Sequence, residues 1–375
     1  MAGIYIHIPF CRQSCHYCDF HFSTSMKTKD DVLSAMQKEM TGRKSEAEDA
    51  VIETIYFGGG TPSILQPDEI MRLLDTITEN YIVSPGAEIT LEANPDDLDL
   101  HKLSALRNTP VNRFSIGVQS FRDEDLKYMN RAHNAAQADY SIKAAQDKGF
   151  ENITIDLIYG TPTMPDPAWK ENLEKAIGLG VPHISSYALT VEHNTPLFHL
   201  IRRKLTTAVD EGQLAEQFHI LMQYMEDAGF EQYEISNFSR SGFRSRHNSS
   251  YWEGKPYLGF GPSAHSFDGR GRRWNVAGNA RYIQALAGNQ RFWEEEVLSE
   301  KDFYNEYVMT NLRKMEGVSM PFISHRFGSD FLRYFSGELQ QLSKEWITVE
   351  DDHVRLTREG KLLADRISSM LFFVD

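Results

Sequence analysis

Cysteine is nearly absent from these 375 residues: the chain has three, Cys11, Cys15 and Cys18, all in one short stretch. An odd, clustered set of thiols cannot make the paired disulfide framework of a secreted domain, and thiols that must stay reduced argue for a cytoplasmic protein. Basic residues are in deficit too. Lys and Arg number 39 against 53 Asp and Glu, a net charge of −14, which excludes a broad basic face for gripping nucleic acid. No window reaches the roughly 20 apolar residues of a membrane span, so the sequence allows peripheral membrane contact at most. The first residues, MAGIYIHIPF, lack the basic start and long apolar core of a secretion signal and read instead as a strand.

The three cysteines stand as C-x3-C-x2-C directly after the strand-like run Gly3 to Ile8. Three thiolates at this spacing can hold three irons of a cubane 4Fe-4S cluster and leave the fourth iron without a protein ligand. An open iron can chelate the amino and carboxylate groups of S-adenosylmethionine (SAM), and an electron from the cluster can then cleave the sulfonium to a 5'-deoxyadenosyl radical. Zinc is the rival occupant. Structural zinc usually takes four Cys or His ligands, often in two separated pairs, whereas His16 lies inside this loop and no second Cys pair exists. Three inert thiols would be the remaining explanation, but free cysteines are usually scattered and buried.

Along the chain, β-branched runs alternate with amphipathic stretches, which predicts six βα units. The strands are Ile4 to Ile8, Ile52 to Phe57, Glu88 to Ala93, Arg113 to Val118, Ile153 to Ile158 and His183 to Leu189. Helical patterns follow at Asp30 to Met40, Pro67 to Glu79, Asp99 to Arg107, Ala135 to Lys148, Ala168 to Leu179 and Asp210 to Ala228. This alternation predicts an α/β fold whose parallel sheet curls into a full or partial barrel, with reactive groups at the strand C-terminal ends. The unusual residues fall at those ends. The cysteine loop follows the first strand and Gly58-Gly59-Gly60-Thr61-Pro62 the second, where bare backbone amides can approach the amino-acid end of a ligand. Glu92 ends the third strand, Gln119 follows the fourth with Arg131 beyond it, and Asp156 lies near the end of the fifth. A single polar residue there is most often a turn former; four at equivalent edges favour ligand binding.

The segments YIHIPFCRQSCHYCDF, FGGGTPS, LEANP, FSIGVQSF, NRAH, IDLIYGTP, SYALT and GFGPSAHS span nearly the whole chain, and together they resemble the radical SAM superfamily, in the group of oxygen-independent coproporphyrinogen III oxidases and their relatives. The resemblance implies a partial (β/α)6 TIM-like barrel. It implies that Tyr5, Gly59, Gly60, Thr61, Glu92, Gln119, Arg131 and Asp156 contact SAM, with Ala188 and His265 near its adenosine. It also implies an electron donor of flavodoxin or ferredoxin type. Two departures bear on the activity. The group's decarboxylases carry a further Cys two residues after the third ligand, where this chain has Phe20, and a long segment before the cluster strand, where ten residues precede Cys11 here. Both departures resemble a haem-binding sister branch regarded as haem chaperones, which deliver haem to an acceptor protein. Decarboxylation of coproporphyrinogen is the alternative.

His247-Asn248-Ser249-Ser250-Tyr251-Trp252 matches that branch's HNxxYW motif. Imidazole is a good axial ligand for haem iron, Tyr251 and Trp252 can pack on the macrocycle, and Arg244 and Arg246 can meet its propionates. Equally, the motif can be a loop whose aromatics fill a domain interface. His7, His16, His21, His133 and His193 are further imidazoles that spacing does not rank.

The domain pattern is a barrel over residues 1–235, a linker or extension carrying the motif over 236–295, and the family's small C-terminal domain over 296–375. Helical patterns at Ser299 to Met315, Phe322 to Phe327 and Phe331 to Leu342 precede a hairpin, Ile347 to Val349 with Val354 to Leu356, and a last helix from Thr357. That order predicts a winged-helix-like α+β module. Its acidic turn, Glu350 to His353, disfavours phosphate contact and suits covering the barrel or docking a partner.

Overall fold

The computed structural model describes residues 2–47 and 50–374. Six parallel strands form the centre of the molecule in sequential order: β1 (Ala2–Ile8), β2 (Val51–Gly59), β3 (Ile82–Ala93), β4 (Arg113–Gln119), β5 (Ile153–Tyr159) and β6 (His183–Ala188). Each pairs in register with the next, for example Tyr5 with Tyr56 and Asp156 with Ser185. The sheet does not close on itself. β6 pairs on its far side with β8 (Asn237–Ser239), itself paired with β7 (Glu231–Glu234), while β1 pairs with β9 (Tyr257–Phe260). The result is the partial six-unit α/β barrel that the alternating pattern predicts. Leu189 falls just past the last strand, because β6 ends at Ala188.

Strand alternation places Ile4, Ile6 and Ile8, Ile55 and Phe57, and Ile153, Ile155 and Leu157 on the outer face, where they pack against helices such as Pro67–Asn80 and Asp166–Gly178 in one core. The inner face is polar. Tyr5 and His7, Thr54 and Tyr56, Glu88 and Glu92, Arg113 and Ser115, and Asp156 and Ser185 all lie on it. A sheet buried on both faces would read as continuous apolar runs. Here the polar inner rows line a lumen, and the curvature is strong enough that Asp156 on β5 helps to raise the phenol of Tyr56 on β2.

The stretch 236–295 extends this same sheet. Beyond β9, strands β10 (His265–Phe267), β11 (Gly271–Asn275) and β12 (Trp293–Val297) continue it antiparallel. The extension is locked to the helix Lys29–Gly42 by a buried carboxylate. Glu39 accepts from Arg43 at 2.8 Å, Asn275 at 2.9 Å, Gly261 N at 3.0 Å and Tyr282 at 2.5 Å. The motif HNSSYW is not a loop but the helix Arg246–Trp252, capped by Ser245.

The C-terminal module has its own core around Tyr304, Val308, Phe335 and Val354. Its helices Glu300–Arg313, Met320–Phe327 and Ser329–Leu339 precede the expected hairpin, β14 (Ile347–Glu350) and β15 (His353–Leu356), and a short strand β13 (Val318–Ser319) adds a third edge to it. No helix among the described residues is long and apolar enough to cross a membrane.

Candidate functional site

The cysteine loop is fixed at both ends by backbone bonds. Cys11 N donates to Ser23 O at 3.0 Å and His16 N to Met129 O at 3.0 Å, while Leu197 N donates back to His16 O at 2.8 Å. His16 uses Nδ1 on Tyr128 O, so it braces the loop from below. All three sulfurs are unpaired and partly accessible. Two of them receive a hydrogen bond from a residue named by the sequence: Thr61 Oγ1 donates to Cys11 Sγ and Arg131 Nη1 to Cys15 Sγ, both at 3.4 Å. Burial pushes the Cys18 thiol up to about 11 and raises Cys11 as well, so thiolate would form together with metal binding rather than before it. Among the described residues no three His, Cys, Asp or Glu converge on a point that could hold one ion. A cubane spreads its three protein ligands over three irons and so needs its sulfurs wider apart than a single ion does. The donor set, with donors aimed at the sulfurs, fits such a cluster.

The glycine turn lies directly against this loop. Gly60 N donates to Ile8 O at 2.9 Å, and a Cβ on Gly60 would sit 2.8 Å from Phe10 O, 2.9 Å from Ile8 O and 2.9 Å from Phe10 N. Gly59 has a left-handed φ of 107° and would drive a Cβ into the His7 ring at 2.7 Å. The end of β2 therefore tolerates no side chain at either position, because strand and cysteine loop share the same space.

Deeper in the lumen, Tyr56 OH donates to Glu92 Oε1 at 2.7 Å, and the Ser115 hydroxyl lies 3.4 Å from both oxygens of Asp156. Burial is the main cause of the raised pKa of both acids, Glu92 to about 7 and Asp156 to about 6, and the Asp156 carboxylate further opposes ionisation of Glu92. Tyr187, on the same face, is 42% exposed although burial raises its phenol, which marks an accessible cavity walled by protein. Tyr5 lies beside the stacked pair Tyr56 and His247, whose ring centroids are 4.9 Å apart, and its hydroxyl lies 3.3 Å from His7 Nδ1. Two half-desolvated carboxyls beside phenols can receive a cationic, hydroxyl-bearing ligand.

Thus Tyr5, Gly59, Gly60, Thr61, Glu92 and Asp156 share one cavity mouth and lumen with the cysteine loop. Arg131 is brought there as well, but its guanidinium holds Cys15, Tyr17, Asn94 and Gly117 O. Gln119 is buried at the end of β4 with a left-handed φ of 64°, a costly conformation for a side chain with a Cβ. Ala188 closes β6 opposite Tyr159. His265 stands apart on β10, exposed and stacked with Trp274, although close enough to depress His7.

The motif histidine is placed differently from the haem-contacting role expected of it. His247 is 1% exposed and sits under the barrel floor, with Nδ1 at 2.8 Å from Thr54 Oγ1 and Nε2 at 2.8 Å from Tyr251 OH. Burial, then Arg113, lowers its pKa to about 3, so the ring is neutral with both nitrogens engaged. The expected propionate partners are likewise engaged: Arg244 pairs with Glu231 and Glu316, and Arg246 with Glu53 and Gly86 O. A seven-residue helix turned that face inward, which a loop would not have done. Of the other histidines, His7 bonds His21 O, His21 bonds Asn279 and His133 bonds Val118 O, while His193 packs on Phe198. Sequence analysis missed Asn94, Tyr17 and Tyr56. Period-two spacing from Gly58 back through Tyr56 to Thr54 was the available signal for Tyr56, and none marked the other two.

Comparison with known proteins finds likeness at the level of family and fold. Residues 5–195 match the Radical SAM superfamily and residues 298–363 the HemN C-terminal domain. The chain is 35% identical over 374 residues to "Heme chaperone HemW" of Bacillus subtilis (strain 168), covering 98% of each chain. It is 31% identical over 377 residues to the protein of that name from Escherichia coli (strain K12), covering 97% of this chain and 96% of the other. Coproporphyrinogen III oxidase (HemN) from Escherichia coli superposes with a TM-score of 0.85 over 99% of this chain and 90% of that one, at 24% identity, a likeness of fold.

Proposed function

The chain belongs to the radical SAM superfamily, among HemW-like proteins, and from that premise we propose that it binds haem together with a SAM-ligated 4Fe-4S cluster and hands the haem to an acceptor protein. The observation that carries this is full-length likeness to proteins named heme chaperone, combined with a cysteine loop ending in Cys18-Asp19-Phe20. When bound, the cluster supplies an open iron for the amino-acid part of SAM and an electron for its cleavage.

The residues divide the work by position. Cys11, Cys15 and Cys18 hold the cluster; Thr61 and Arg131 donate to two of the sulfurs and compensate their charge. The side-chain-free turn Gly59-Gly60 admits the amino-acid end of SAM against backbone. Glu92 and Asp156 present buried carboxyls toward its cationic and hydroxyl groups, and Tyr5 walls the cavity below. Gln119, at the end of β4, adds a polar contact to SAM, and Ala188 and His265 are the candidates for its adenosine neighbourhood, His265 from its exposed position on β10.

An anaerobic reconstitution tests this. The protein should incorporate about four irons and four sulfides per chain, bind SAM, take up haemin with a Soret shift, and pass it to an apo-haem protein on mixing. Incubation with coproporphyrinogen III, reductant and SAM should leave the substrate intact. Protoporphyrinogen formation at a rate exceeding haem transfer would replace this function with that of the oxidase whose fold the chain shares.

A further inference from the structure

Three neighbouring strand ends surround the cysteine loop, and the middle one can touch both of the others. β3 lies between β2 and β4 in the sheet, and Asn94 is the residue at which β3 gives way to the turn Pro95–Asp97. On one side stands Thr61, from the glycine turn after β2. On the other is Arg131, which lies against β4 through its bond to Gly117 O at 2.8 Å. The Asn94 amide joins the two: its Oδ1 accepts from Arg131 Nη2 at 2.7 Å, and its Nδ2 donates to Thr61 Oγ1 at 3.4 Å. Each partner also faces a sulfur, Thr61 that of Cys11 and Arg131 that of Cys15.

Chemistry fixes the direction of every bond in this chain. A guanidinium has donors only, so the Asn94 atom that faces Arg131 has to be the oxygen. The nitrogen then points at Thr61, and an amide nitrogen only donates. The Thr61 oxygen is therefore an acceptor toward Asn94, which leaves its own proton for Cys11 Sγ. The backbone under Asn94 is held as firmly. Asn94 N donates to Ser63 Oγ at 3.0 Å, Ser63 Oγ donates to Asp97 Oδ2 at 2.8 Å, and Asp97 pairs at 2.7 Å with Arg12, which stands between Cys11 and Cys15 in the sequence. Thr61, Ser63 and Asp97 are at most 4% exposed, so water does not compete for these bonds.

Resting on the cluster reading above, we propose that Asn94 is a positioning residue for the cluster ligands. Its amide, oriented by Arg131, turns the Thr61 hydroxyl so that the proton points at Cys11, and through Thr61 and Arg131 together it helps to set the cluster's reduction potential. Hydrogen bonds to the ligand sulfurs raise that potential, because they offset the negative charge that reduction adds. A carboxylate of the same shape reverses the geometry. In Asn94→Asp one oxygen still accepts from Arg131, but the other faces Thr61 and takes its proton, so Cys11 loses its donor although the side chain keeps its outline.

The midpoint potential of the loaded protein, from anaerobic redox titration followed by electron paramagnetic resonance, is the readout; a residue that only supports the turn would change loading rather than potential. Thr61→Val should move the midpoint to more negative potential, and Thr61→Ser, which keeps the hydroxyl, should stay near wild type. Asn94→Asp should also move it negative, and by more in the wild-type background than in Thr61→Val, where only the added charge is left to act. The two changes are then non-additive, as expected of residues in one hydrogen-bond chain. Asn94→Ala adds no charge and should show the same inequality between backgrounds. Iron and sulfide content with near-UV circular dichroism identify any variant that fails to load or fold. Equal shifts in the two backgrounds, or a Thr61→Val protein with the wild-type midpoint, overturn the role of Asn94. So does failure of both Asn94 variants to load beside a fully loaded Thr61→Val, which would make Asn94 a folding residue. A wild type that takes up neither iron nor sulfide refutes the cluster reading instead.

Discussion

Arg131 Nη1 donates to the sulfur of Cys15 at 3.4 Å across 116 residues of chain, while Nη2 of the same guanidinium is held by Asn94 Oδ1 at 2.7 Å and Gly117 O at 2.8 Å. A fixed cation beside a cluster ligand stabilises the reduced, more negative state. Arg131→Leu should therefore move the reduction midpoint to more negative potential, on the order of tens of millivolts. A potentiometric titration followed by electron paramagnetic resonance checks this, and an unmoved midpoint in a fully loaded variant would count against any electrostatic role.

Loss of one sulfur should be decisive for loading. Cys15→Ser should reduce incorporated iron and sulfide to a small fraction of wild type and abolish reductant-dependent cleavage of SAM. Iron and sulfide analysis with chromatographic detection of 5'-deoxyadenosine measures both. A variant that keeps a complete cluster would refute the ligand set.

Glu92 makes a pH prediction with a definite sign. Burial raises it from 4.5 to about 7, so between those values the folded protein keeps a proton that the unfolded chain has lost. Its contribution to stability accordingly declines as pH rises through that window and is lowest above about 7. Ionised Glu92 favours a sulfonium ligand, so SAM affinity should rise from pH 6 to pH 8, by at most about tenfold per pH unit. In Glu92→Gln that rise should flatten in equilibrium binding assays. An identical slope in both proteins would remove Glu92 from the site.

Gly60 should not accept even one methyl. The three nearest atoms to its Cβ are all backbone, at 2.8 to 2.9 Å, so none can swing aside. Gly60→Ala should lose about 1–3 kcal/mol and impair cluster loading by displacing Ile8 and Phe10. Gly42→Ala, with nothing within 4 Å of its Cβ, is the control and should stay within about 0.5 kcal/mol of wild type. Urea unfolding of the two variants gives the comparison.

The buried Glu39 should prove structurally dominant. Removing it leaves Arg43, 5% exposed, with Glu46 as its one remaining carboxylate partner, and strips Asn275, Gly261 N and Tyr282 of their buried acceptor. Glu39→Ala should destabilise by about 3–5 kcal/mol. Hydrogen exchange should report the loss across β9 to β11, where Gly261 and Asn275 are its partners. A penalty under about 1 kcal/mol would mean that the extension is held by apolar packing alone.

The parallel barrel was legible because each strand and helix carries its own period, as at Ile153–Tyr159 and Pro67–Asn80, and local pattern suffices for that. The cysteine loop and glycine turn were legible for a similar reason: their chemistry lies within a few consecutive residues. The start of β3 at Ile82, six residues ahead of the predicted edge, was not, because Ser84-Pro85-Gly86 reads as a turn until pairing with β2 overrides it.

The sequence by itself determined the donor types and their order along the chain: three thiols, a bare-backbone turn and acids at strand ends. Tertiary structure alone decided which of them meet, since Arg131 reaches Cys15, and Glu39 reaches Tyr282, only after strands far apart in sequence have curled together. It also decided where the motif imidazole points. A residue pattern specifies that His247 and Tyr251 share a helix face; burial, set by Thr54 and Tyr56 across the barrel floor, makes the ring a neutral support hydrogen-bonded to Thr54 and Tyr251.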